Sequence, residues 1–93
     1  MSDRAIKKKL NNVSSEMREI EQELQVLDEQ ILHFADVEDQ ARLKAMVAET
    51  PITSKEHSQA KRTLDVMQKS RDKLIEKLAH LNRMSDALLD SLG

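Results

Sequence analysis

Residues 6–34 read IKKKLNNVSSEMREIEQELQVLDEQILHF, and this stretch decides the fold. Its apolar positions are Ile6, Leu10, Val13, Met17, Ile20, Leu24, Leu27, Ile31 and Phe34, separated by alternating steps of 4 and 3. A repeat averaging about 3.5 residues keeps one stripe facing a neighbouring helix, so this is the seam of a coiled coil. Neither Gly nor Pro interrupts it, and Ser2 or Asp3 is placed to cap its start. The spacing predicts a helix over residues 3–34, roughly 48 Å long at about 1.5 Å per residue.

A second stripe follows Pro51. It runs Ala60, Leu64, Met67, Arg71, Leu74, Leu78, Leu81, Ser85, Leu88 and Leu92, again in steps of 4 and 3. Thr53 stands three residues before Glu56, the spacing of a capping box, with Ile52 just outside the cap. This predicts a helix over residues 54–92, with Gly93 as its stop.

Run antiparallel, the stripes match layer for layer. Phe34 falls opposite Ala60, Ile31 opposite Leu64, Leu27 opposite Met67 and Leu24 opposite Arg71. Ile20 then meets Leu74, Met17 meets Leu78, Val13 meets Leu81, Leu10 meets Ser85 and Ile6 meets Leu88. Charge favours the same pairing. Arg18 is the only base among the many carboxylates of residues 10–40, whereas Lys61, Arg62, Lys69, Arg71, Lys73 and Lys77 make the facing segment basic. Lys7, Lys8 and Lys9 fall near Asp86 and Asp90. Exposed pairs contribute only about 0–1 kcal/mol each, so their effect is on orientation. Arg71, a base on an apolar seam, is expected to reach out to Glu21, Glu23 or Asp28 and to set the register.

Residues 35–52 form the tip of the hairpin. Asp36 is placed to cap a short helix, with Glu38 and Asp39 in its first turn and Leu43, Met46 and Val47 on its apolar face. Thr50-Pro51 ends it, because the residue before a proline resists the helical region. The favoured reading is a short third helix folded back over Phe34. The alternative is a first helix running on to about residue 48, since no Gly or Pro stands in its way.

Composition agrees. The 93 residues allow one small domain, 1–93, and contain one Gly, one Pro, one aromatic and no Cys. A β-sandwich or barrel needs more aromatics and turn glycines, and disulfide, thiol and Cys–zinc chemistry have no residues to work with. No apolar run approaches the roughly 20 residues that cross a membrane, and the N-terminal segment lacks the apolar core of a secretory signal. The expectation is a cytoplasmic, all-α, antiparallel coiled-coil hairpin.

The candidate chemistry is sparse. His33, His57 and His80 lack metal-ligand spacing, and Asp36, Glu38 and Asp39 lack the glycine of a calcium loop. The serines have no base partner, Glu19 and Glu23 lie on a solvated face, and the only Gly is Gly93. No catalytic residue, metal or cofactor is expected. With a net charge of -2 and no Tyr or Trp, Lys7, Lys8 and Lys9 read as a solvated end rather than a nucleic-acid or membrane site.

Two likenesses can be placed on residues. The segment from Ala41 to Pro51, followed by Lys55, Glu56, His57 and Ala60, resembles uncharacterised small coiled-coil proteins of actinobacteria, a resemblance that implies no activity. Ser15, Arg18 and Gln22 are similar to three positions of the helix motif E-x3-S-x2-R-x3-Q-x3-D, carried by hairpin anti-sigma factors that bind cyclic di-GMP. Asn11 and Val26 depart from that motif, so no ligand site is carried over.

A two-helix hairpin has a thin core, and the balance of burial against chain entropy comes out near zero. Ile75, Ala79, Met84 and Leu89 lie beside the second stripe and are expected to be covered by another chain. Thr50, Pro51 and Ile52 at the tip are candidate contacts as well. The partner is a second copy, giving a homodimer, or an unidentified protein. The expected function is non-enzymatic protein–protein interaction by a small adaptor, regulator or assembly factor. An anti-sigma-type regulator and a self-assembling structural protein are the alternatives.

Overall fold

The computed structural model describes residues 2–92. It contains two helices, α1 (Asp3–Val47) and α2 (Pro51–Asp90), which pack antiparallel as an all-α hairpin. Ser2 caps α1: its Oγ accepts a hydrogen bond from the Ala5 amide at 3.2 Å, and its carbonyl accepts from Ile6 at 3.0 Å. The expected stop at Gly93 lies outside the described residues, and α2 ends at Asp90.

The chain divides into two compact units, one formed by its terminal segments through Gln25 and from Lys73, the other by Val26–Asp72. In the first, Val13, Ile20 and Leu81 are buried together, and Met17, Leu24, Leu74, Leu78 and Leu88 pack against them. Ile6 is the most enclosed side chain, 2% exposed. All are residues of the two stripes. Among the described residues, no ion pair within 4.0 Å joins the lysines of 7–9 to Asp86 or Asp90, so charge acts there as a diffuse field.

The second unit corrects the expected tip. α1 does not stop at Phe34, and residues 35–52 do not form a separate helix; α1 continues unbroken to Val47. The seam continues with it, from Phe34 to Glu38, Ala41 and Ala45 in steps of 4, 3 and 4, each shielded on one side. Alanine carries the best helix propensity, which favours continuation. The acidic residues read as a new helix start make pairs inside α1 instead. Gln40 Nε2 donates to Asp36 Oδ2 at 3.1 Å, and Arg42 Nη2 donates to Asp39 Oδ1 at 2.9 Å. Leu43, Met46 and Val47 are exposed, Val47 to 89%.

The turn consists of Ala48, Glu49 and Thr50, with no positive φ at any described non-Gly residue. α2 starts three residues earlier than expected, and Thr50 is its cap rather than Thr53. The Thr53 amide donates to Thr50 Oγ1 at 3.2 Å, and the Thr50 amide donates back to Thr53 Oγ1 at 3.0 Å. This is a capping box in which a threonine replaces the usual Glu or Gln. Pro51 occupies the first helical position, where its missing N–H costs no hydrogen bond. Ile52 therefore lies inside the first turn of α2. Thr53 is buried, alone among the described polar residues, and its hydroxyl donates to the Ala48 carbonyl at 2.7 Å. That bond satisfies a carbonyl the end of α1 leaves free.

Candidate interaction surfaces

In the first unit, α1 and α2 leave a groove of about 680 Å³ along one edge of their seam. Val13, Leu81, Met84, Ala87 and Leu88 give it an apolar floor, and Lys9, Glu16 and Lys77 stand on its rims. On α2 the groove is reached by residues one position before the seam, Lys77, His80, Met84, Ala87 and Ser91. Ile75, Ala79 and Leu89 stand one position after seam residues, on the opposite edge of α2, and do not line it. The four positions expected to form one surface are thus split. Met84 belongs to the groove, while Ile75 and Leu89 are exposed and Ala79 half-buried on the other side. The 4–3 spacing of 77, 80, 84, 87 and 91 is readable in the sequence, although only Met84 and Ala87 on it are apolar.

In the second unit, Val26, Leu32, Val37 and Val66 are exposed along the two helices, and Leu43, Met46, Val47 and Ile52 are exposed near the turn. Beside them Arg42, Ala45, Met46, Glu49, Ser54, His57 and Ser58 border a shallow depression of about 530 Å³. Of the three expected tip contacts, Thr50 spends its hydroxyl on the cap and Pro51 on the helix start. Ile52, 71% exposed, presents free apolar surface.

Arg71 reaches Asp28, one of its three expected partners; its Nε donates to Asp28 Oδ1 at 2.6 Å with both side chains about half in water. An exposed pair of this kind contributes only about 0–1 kcal/mol. His57 Nε2 and Glu38 Oε1 meet at 2.9 Å across the seam, in a layer the apolar pattern did not reveal. The Glu38 carboxylate is 16% exposed, and Arg42 Nε lies 3.9 Å from it. Lys44 Nζ bonds Glu56 Oε2 at 3.3 Å further toward the turn. His33 packs edge-on to Phe34, with centroids 5.1 Å apart. His80 stands on the groove rim. Among the described residues, no group of three His, Asp or Glu side chains converges as metal ligands would.

Arg18 Nη2 donates to Ser15 Oγ at 3.3 Å, so two of the three motif-like residues engage each other on an exposed face. Among the described residues, no helix is long and apolar enough to cross a membrane. Compared with known proteins, the chain matches no family model, and no curated protein or solved structure aligns to it significantly.

Proposed function

We propose that this chain is a non-enzymatic, cytoplasmic protein-interaction module, a small adaptor, regulator or assembly factor built as a helical hairpin. The observation that carries this reading is the incomplete core. Among the described residues, Ile6, Val13, Ile20 and Leu81 are the buried apolar side chains, and most other seam residues stay partly open to water. Val13, Leu81 and Leu88 belong to the core and also floor the groove. A helix laid along that groove would complete a third side of the same core, which is how amphipathic helices are recognised. The exposed apolar group at the turn offers a second contact.

The test is capture of proteins from the host lysate by the tagged chain, alongside Met84→Glu and Ile52→Glu variants that retain full helicity. A reproducible partner lost with one of the variants supports the reading and locates the contact. Capture that neither variant alters, with self-association also unaltered, overturns it.

A further inference from the structure

We infer that the groove of the first unit is filled by a second copy of the chain, in a parallel two-fold dimer. This rests on the reading of the groove as an interaction surface and adds the identity and orientation of its occupant. The argument comes from the charge on its two rims. On α1, the positions preceding seam residues Met17, Ile20 and Leu24 are Glu16, Glu19 and Glu23. On α2, the positions preceding Leu74 and Leu78 are Lys73 and Lys77. Glu16 and Lys77 both line the groove, so the others continue its edges: past Lys9 and Asn12 the α1 edge is acidic from Glu16 to Glu23, and the facing stretch of the α2 edge is basic at Lys73 and Lys77. All five are exposed, and none takes part in an ion pair within 4.0 Å among the described residues.

A two-fold axis parallel to the helices lays the α1 edge of each copy on the α2 edge of the other, at the same height. Glu16 then faces Lys77 of the second copy and Glu19 faces Lys73, and symmetry makes each pair twice. The same operation brings Lys9 over Met84 of the second copy, where the lysine stem covers the thioether and its ammonium stays in water. An antiparallel two-fold lays α1 on α1 and centres no carboxylate on a lysine of α2. The groove's apolar floor supplies the drive to associate, and the rims choose the orientation. The arrangement is isologous, so it closes as a dimer and does not propagate into a fibre.

Sedimentation equilibrium of the full chain tests this. The wild type should give twice the chain mass. Glu16→Lys/Glu19→Lys and Lys73→Glu/Lys77→Glu should each remain helical and self-associate at least about tenfold more weakly, since like charges then face each other. An equimolar mixture of the two variants should recover the dimer mass, because each supplies the edge the other lacks. That recovery also shows that neither variant failed by unfolding. A wild type that stays monomeric, charge-reversed variants that dimerise undiminished, or a mixture that does not recover would each overturn the dimer. A monomer that captures a foreign protein through Met84 would overturn the dimer alone and leave the interaction reading standing.

Discussion

The Thr53 hydroxyl donates to the Ala48 carbonyl at 2.7 Å, tying the first turn of α2 to the last residues of α1. The same oxygen accepts from the Thr50 amide at 3.0 Å, so one buried side chain holds both ends of a three-residue connection. Replacing it with the near-isosteric valine leaves a part-buried carbonyl and a part-buried amide without this partner. Thr53→Val should cost about 1–3 kcal/mol, and Thr53→Ser should recover most of it. Urea denaturation, read as a shift in midpoint at constant slope, is the measurement.

Pro51 contributes differently. It stands at the first position of α2, where no intrahelical bond is lost, and it acts mainly by restricting the unfolded chain. Pro51→Ala should lower stability by no more than about 0.4–1 kcal/mol, with unchanged helicity by circular dichroism. A loss larger than that of Thr53→Val would mean the ring packs in a way the exposed position does not suggest.

The Glu38–His57 layer should behave as a polar insertion in an apolar seam. Glu38→Leu alone removes the acceptor from His57 and should cost about 0.5–1.5 kcal/mol. Glu38→Leu combined with His57→Leu replaces both partners and should match or exceed the wild type. Thermal melts of both single variants and the double variant complete the cycle. A double variant less stable than each single one would show that the bond at 2.9 Å outweighs the apolar packing it displaces.

Burial, rather than residue type, should decide the cost of aliphatic truncation. Ile20 is 4% exposed within the Val13–Leu81 cluster, and Ile20→Ala should cost about 2–5 kcal/mol. Leu32 is 74% exposed and off the seam, and Leu32→Ala should stay within about 0.5 kcal/mol of the wild type. Equal losses at the two positions would indicate that Leu32 is covered by another molecule.

The hairpin was legible because its signal is long. Nine apolar residues from Ile6 to Phe34 repeat without a fault, and their partners from Ala60 to Leu92 carry only two polar interruptions. The tip was not legible because its side chains use the same geometry with other chemistry. Glu38, Ala41 and Ala45 continue the seam in the right steps, but a carboxylate and two small residues do not register as a hydrophobic stripe. The turn also lacks the usual punctuation: no described non-Gly residue has positive φ, and its cap rests on a pair of threonines. Thr53 and Glu56 imitate a capping box one turn too late. On the surface, Met84 stood out as an apolar residue beside the seam, whereas the groove it belongs to depends on which edge of α2 faces α1, which a list of apolar residues does not contain.

The bonds that cross between the helices are nested about the three-residue turn. Thr53–Ala48 spans 5 residues of chain, Lys44–Glu56 spans 12, Glu38–His57 spans 19 and Asp28–Arg71 spans 43. Loop-closure entropy grows only slowly with length, by about 0.6 kcal/mol per doubling, and a contact already made shortens the loop the next one must close. Assembly is therefore predicted to run as a zipper, in order of increasing separation along the chain. In stopped-flow kinetics Thr53→Val should mainly slow refolding, while Ile20→Ala, in a cluster that closes late, should mainly speed unfolding. On this prediction the turn would set how quickly the hairpin forms, and the residues most distant in sequence how long it lasts.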